Sequence, residues 1–305
     1  MKKSTLPLLL SLLFILAACS SERKAQRSAI QIKEATVDED PTADNVQTLM
    51  QLYQEYRAIY PEDNSFNARY LYREAGLHYR MNQYGQAAEL LQATLRNYPD
   101  AEVSPQAAYM LGAIYEEKLR QSEPALTIFQ AMQKAFPEDS LSAKALQRLP
   151  DGIEPAEDRL AKLRQSIFSD SIQRINYRRA DAYLSSAELY ALLLPNAATS
   201  PDVLYQAGEI ARAVRNHELA LRLYATLYER YPKHENAPKA LFMQAFTYDD
   251  NLKQFDKARE AYELFLQKYP NDDFADDAQV LLDNLGKKDE EIIDNLTGKS
   301  KSDTE

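Results

Sequence analysis

NAPKALFMQAFTYDDNLKQFDKAREAYELFLQKYP, residues 236–270, holds one complete copy of the pattern that decides the fold. Leu241, Ala245 and Tyr248 recur at steps of four and three residues, the spacing that places side chains on one face of a helix. Phe255, Ala258, Tyr262 and Phe265 do the same in the second half. Tyr269-Pro270 closes the copy, because proline lacks the amide hydrogen a helix needs and drives the residue before it toward extended backbone. The stretch predicts a helix, a turn and a second helix.

The same ending recurs along the chain. Tyr60-Pro61, Tyr98-Pro99 and Phe136-Pro137 set prolines 38 residues apart, and Tyr231-Pro232 and Tyr269-Pro270 repeat that interval. Two pairs of copies superimpose at one constant offset of 133, with Tyr72 on Tyr205, Ala75 on Gly208, Ala87 on Ala220, Tyr109 on Phe242, Gly112 on Ala245 and Ala125 on Ala258. In the second and fourth copies one extra residue separates the small residue of the first helix from the alanine of the second. Composition agrees with an all-helical chain: six valines and 7 glycines in 305 residues leave alanine, leucine, glutamine and glutamate to fill most positions.

Leu111-Gly112 with Tyr115, followed by Ala125, Phe129 and Pro137, resembles the tetratricopeptide pattern, in which small residues lie where paired helices touch. The period of 38, against about 34 for that family, and the aromatic-Pro endings are similar to its periplasmic branch, whose members serve outer-membrane β-barrel assembly and the Tol-Pal system. The resemblance covers 44–286. It implies an all-α fold, a right-handed α-solenoid of helix-turn-helix repeats that binds proteins or peptides, and no enzyme activity.

MKKSTLPLLLSLLFILAAC opens the chain with two lysines, an apolar run too short to span a bilayer and small residues ending in the only cysteine. Leu16, Ala17, Ala18 and Cys19 resemble the lipobox of bacterial lipoproteins, which implies cleavage after residue 18 and lipidation of Cys19. Ser20 resembles lipoproteins sent to the outer membrane, periplasm-facing; a plain signal peptide or a cell-surface position are the alternatives. Residues 19–43 are polar and charged, with no sustained apolar face, and are expected to form a flexible tether spanning up to about 80 Å when fully extended. Repeats are expected over 44–149 and 200–286, the latter ending in a capping helix through Phe274, Ala278, Leu281 and Leu285. Residues 150–199 open with Leu149-Pro150-Asp151-Gly152 and read as a degenerate repeat or as a hinge. A charged tail fills 287–305.

Little in the sequence points to catalysis. His78, His217 and His234 lack metal-ligand spacing, no Gly-rich phosphate loop or nucleophile elbow occurs, and no metal or cofactor is expected. Asp272, Asp273, Asp276 and Asp277 read as acids opening the last helix rather than as a calcium loop. Net charge is −10, and loss of Lys2 and Lys3 with the leader leaves 34 basic against 46 acidic residues, a net of −12. Nucleic-acid binding, which needs a basic face, is excluded on that ground.

The tetratricopeptide resemblance implies that the first helix of each copy lines a partner groove. Carried onto this sequence, that set is Arg69, Tyr72, Tyr79 and Arg80; Tyr109, Glu116 and Glu117; Tyr205, Glu209 and Arg212; and Phe242, Phe246, Asp249 and Asp250. An aromatic ring stands at one place in all four copies: Tyr72, Tyr109, Tyr205 and Phe242. Such a ladder either serves an extended peptide or partner helix from the cell envelope, or packs between neighbouring helices. Membership of an outer-membrane assembly apparatus, coordination of envelope constriction with the peptidoglycan machinery, and capture of peptide or glycan at the cell surface are the functional alternatives.

Overall fold

The computed structural model describes residues 6–168 and 175–287, with side chains from residue 21 onward. The side chains of the expected lipobox and of Cys19, residues 1–5 of the expected leader, 169–174 of the expected degenerate repeat or hinge, and 288–305 of the expected tail lie outside that description. The chain is all-α. In order, the helices are α1 (Leu6–Glu39), α2 (Ala43–Ile59), α3 (Asn64–Arg80), α4 (Tyr84–Asn97), α5 (Ser104–Ala113), α6 (Ser122–Ala135), α7 (Ser140–Leu146), α8 (Ala156–Gln165), α9 (Tyr177–Leu193), α10 (Ser200–Ala213), α11 (His217–Arg230), α12 (Asn236–Phe246), α13 (Phe255–Lys268) and α14 (Ala275–Asp283). A lone antiparallel bridge, Phe168 to Ile175, is the only β pairing among the described residues. Two compact units result, one of α1–α5 with α7, the other of α6 with α8–α14.

The second helix of each pair ends as the aromatic-Pro steps demand. Tyr60, Tyr98, Phe136, Tyr231 and Tyr269 still donate their amides to the carbonyls four residues back, at 2.8–2.9 Å, and the following proline cannot. Leu194, ahead of Pro195, stops α9 in the same way, bonding Tyr190 at 2.9 Å.

In the four copies first seen in the sequence, the turn between the helices carries one residue in the left-handed region: Asn82 (φ 60°), Arg120 (55°), Arg215 (63°) and Lys253 (53°). Glycine is the usual choice there, and none is used. Arg120 and Lys253 each follow a five-residue π-helical turn, Ile114–Lys118 and Thr247–Asn251. These turns stand 133 residues apart, at the copies that carry one extra residue. The insertion is absorbed as an i to i+5 turn, closed by Leu119 N–H to Ile114 at 3.0 Å and Leu252 N–H to Thr247 at 3.1 Å.

In the first unit the core joins Leu49, Tyr53 and Tyr56 of α2 to Tyr70 and Leu77 of α3. Ile30 (2% exposed) and Val37 (1%) of α1 complete it. The expected flexible tether over 19–43 is therefore not what forms: from residue 21 to Glu39 this stretch is helical and docked. The first unit consequently begins with a helix pair, α1 with α2, ending at Tyr60-Pro61. Apolar periodicity misses it because polar contacts do most of the docking. Arg27 lies 3.7 Å over the ring of Phe66, donates Nε–H to Tyr56 Oη at 2.6 Å and pairs with Asp63. Glu34 accepts from Tyr53 Oη at 2.7 Å and pairs with Arg73 at 2.6 Å, and Arg23 pairs with Glu62.

In the second unit α6 packs on α9, α9 on α10, α11 on α12 and α13 on α14. Phe265, Tyr262, Ala258, Ala245 and Leu241 form the core of the last pair, with Phe274 and Leu281 of the cap against it. Gly208 sits under Tyr224, so close that a Cβ there would lie 2.4 Å from the ring.

Burial alone would raise the Asp63 carboxyl, but hydrogen bonds from Tyr56 and Arg27 and the Arg27 charge outweigh it and hold the group below its ordinary value. A carboxylate with a depressed pKa stabilises the fold at neutral pH, and that contribution is lost as pH falls through the folded-state value. Asp63→Asn should thus cost about 2 kcal/mol at neutral pH and expose the α1 amides to hydrogen exchange. In strong acid, denaturant titrations of variant and parent should converge; a difference independent of pH would sink this account.

Candidate partner-binding face

The first helix of each pair places its ladder ring differently in the two units. In the first unit Tyr72 of α3 is half-buried beside a cavity of about 430 Å³ that is also lined by Gly76, Arg73, Arg80, Met110 of α5 and Glu34 and Asp38 of α1. Arg80 lies 3.8 Å from Asp38, a loose pair, whereas Glu34 and Arg73 on the same face are matched at 2.6 Å. Exposed Arg69, one turn earlier, lines a second cavity against α1. Tyr79 turns away toward Tyr84, edge-on at 5.4 Å, with Lys118 Nζ 5.6 Å from its ring. Tyr109 is half-buried on α5; Glu116 is half-buried and Glu117 exposed, both within the π turn.

In the second unit Tyr205 is half-buried, its ring 6.3 Å from Tyr224. Tyr224 donates its hydroxyl to Glu209, which also meets Arg212 at 3.6 Å. Burial raises the Tyr224 pKa and Glu209 adds to it, so the hydroxyl remains a donor at all physiological pH. Phe246 is half-buried, and Asp250 is exposed beside Lys253 at 3.6 Å. Asp249 accepts from Tyr262 Oη at 3.5 Å. Burial pushes its carboxyl above the ordinary value despite Lys253 and that hydrogen bond, and Asp250 adds to the rise. Ionised Asp249 therefore costs stability at neutral pH, and the loss is recovered as pH falls through its raised value.

Phe242 is corrected by the structure. It is 8% exposed, stacked on Phe274 at 4.9 Å, with Phe265 at 5.8 Å and Tyr262 at 6.1 Å. After α13 comes the capping helix α14, whose N-cap residue Phe274 covers the ring that elsewhere stays half-open. Of the four aligned rings, Tyr72 and Tyr109 in the first unit and Tyr205 in the second remain half-buried. Glu34, Asp38, Arg73 and Met110 were missed, three of them through the tether reading or through lying beside it. A signal existed: Ile30 and Val37 precede Ala68 and Ala75 by the same 38 residues that separate the prolines.

Residues 69–101, 106–139, 202–234 and 239–272 each match the family model described as tetratricopeptide repeat, and the two pairs of matches stand 133 residues apart. These four stretches are tetratricopeptide repeats. The pair formed by α1 and α2 precedes the first match and has the same helix-turn-helix form. No curated protein matches the chain. Among solved structures it is similar to the TPR2AB-domain:pHSP90 complex of yeast Sti1, at 14% identity over 84% of this chain and 97% of that one. The TM-score is 0.31, too low to bear on the site. Tetratricopeptide repeats serve as protein-interaction scaffolds, and among the described residues no group of three or more His, Cys, Asp or Glu side chains could hold a metal ion.

The seat of Tyr224 on Gly208 positions Glu209, so it can be tested through stability. Gly208→Ala forces the ring out of its seat, an overpacking that costs about 1–3 kcal/mol. Thermal unfolding should show that loss; an unchanged Tm would mean that the ring has room to shift.

Proposed function

We propose that the protein is a lipid-anchored scaffold of the outer membrane, facing the periplasm, whose repeats bind other envelope proteins in outer-membrane protein assembly. The observation that carries this reading is the conjunction of a lipobox at residues 16–19 with half-open aromatic rings and partly matched charges on the first helices. Rings supply contact area at low entropic cost, and flanking charges fix the register of a bound segment. Tyr109 with Glu117 in the first unit, and Tyr205 with Asp250 in the second, offer such combinations. No described helix is long and apolar enough to cross a membrane, which leaves lipidation of Cys19 as the means of attachment in this reading.

Crosslinking in native membranes, followed by identification of partners, tests the proposal. Wild-type protein should enrich components of outer-membrane assembly. Glu117→Lys with Asp250→Lys, both at exposed positions, should cut that yield about tenfold without altering Tm, since like charges at an interface cost more than 1.4 kcal/mol. Enrichment of constriction or peptidoglycan enzymes instead would reject the assembly role. Cys19→Ala should move the protein into the soluble fraction, and persistence in the membrane would reject the anchor. Protease applied to intact cells should leave the chain uncut; cleavage would place it on the surface.

A further inference from the structure

The docking of α1 changes what a lipid on Cys19 would do, and it brings a second feature into play. Helix α1 is continuous from Leu6 to Glu39, and its first described ion pair, Arg23 with Glu62, lies four residues after Cys19. Four residues span about 6 Å as helix and about 14 Å fully extended. A tether of roughly 80 Å does not exist, so the anchored repeat body sits at the lipid surface, whose headgroup layer is roughly 5–8 Å deep.

At this end of the first unit, between α1 and α3, is a cavity of about 300 Å³. Lys24, Arg27, Ser28, Gln31 and Arg69 supply its polar wall, and Ile30, Phe66 and Tyr70 supply an apolar one. Glu34 also reaches it, but its charge is met by Arg73 at 2.6 Å and by the Tyr53 hydroxyl at 2.7 Å. Arg27 is held by Asp63, which meets its charge, by Tyr56 and by the face of Phe66, so it forms a fixed part of the wall. Lys24 and Arg69 are exposed and have no ion-pair partner among the described residues. Two unmatched cations flank a cleft in a chain whose net charge is −10. The Lys24 ammonium, the Arg69 guanidinium, a hydroxyl and an amide around one space are donors suited to phosphate oxygens, and the apolar wall suits the carbon skeleton attached to them.

We propose that this cleft binds the phosphate headgroup of an anionic phospholipid in the leaflet that holds Cys19, so that the first repeat is fixed in orientation on the membrane. The orientation rests on the anchor proposed above; the headgroup site itself does not. Lys24 and Arg69 clasp the phosphate from the two helices, and the lipid closes the open edge between them.

A water-soluble, short-chain phosphatidylglycerol tests this by calorimetric titration into the full chain in detergent. It should bind, and Lys24→Gln with Arg69→Gln should weaken it about tenfold or more, as loss of two charge-assisted contacts requires. Neither residue is tied into the fold by an ion pair, so the Tm of the double variant should match the parent. Inorganic phosphate should bind at least about tenfold more weakly than the lipid. Equal binding by inorganic phosphate would overturn the headgroup assignment, and unchanged lipid affinity in the double variant would overturn the site. The same titration on Cys19→Ala should give the parent affinity. A chain that fails to anchor but still binds the lipid refutes the anchor alone, and one that anchors but does not bind refutes the cleft alone.

Discussion

Buried tyrosine rings with their hydroxyls tied to carboxylates are the constraint on which this structure depends. A phenol cannot be buried without an acceptor unless several kilocalories of desolvation are forfeited. Tyr53 reaches Glu34, Tyr56 reaches Asp63, Tyr190 reaches Glu157 at 2.7 Å, Tyr224 reaches Glu209 and Tyr262 reaches Asp249. In each case the ring fills the contact between helices and the hydroxyl fixes a charged group at its margin. Core and surface are thereby set by the same residue, and the carboxylates near a partner face are held before any partner arrives. Preorganisation of this kind removes part of the entropic cost of association.

The second constraint is the length of the repeat. Four of the helix pairs reverse direction within a few residues, and Asn82, Arg120, Arg215 and Lys253 adopt the left-handed backbone that allows it. Non-glycine residues there cost of order 1 kcal/mol each. The side chains gained are long and polar, which keeps the turns soluble. Where one residue too many precedes the turn, the helix widens into a π turn rather than looping out, and Glu116, Glu117, Asp249 and Asp250 fall inside that widened turn. Thr247, wholly buried, bonds back to the Met243 carbonyl at 2.6 Å and helps to hold the second of these turns.

Helix pairs and their ends were legible because each rests on a local cause: periodic apolar residues, then a proline. The π turns were half legible, since one extra residue at equal places in two copies was visible but its absorption into the helix was not. Helix α1 was hidden for a different reason. Among its described side chains Ile30 and Val37 are the buried apolar anchors, and the rest of its docking uses Arg27, Glu34 and Arg23, which look solvated in a sequence until their partners on α2, on α3 and in the turn between them are in place. Phe242 shows the limit of alignment between copies. It occupies the same position as Tyr109, yet its exposure is decided by Phe274, a residue beyond the copy.

Recognition of α1 as the first helix of a pair alters the mechanics of attachment. A flexible leash would let the body explore a hemisphere above the membrane and would add little to the effective concentration of any site near the lipid. In the proposed anchor, a lipid on Cys19 would transmit orientation through the docked helix, because bending α1 away from α2 and α3 breaks the Arg27–Asp63 and Glu34–Arg73 pairs together. The cost of that motion is shared among contacts that also hold Tyr53 and Tyr56 in the core. Under the proposed anchor, membrane attachment and stability of the first unit would be one property, and the surface beside Tyr72, next to Glu34 and Asp38, owes its rigidity to the same helix.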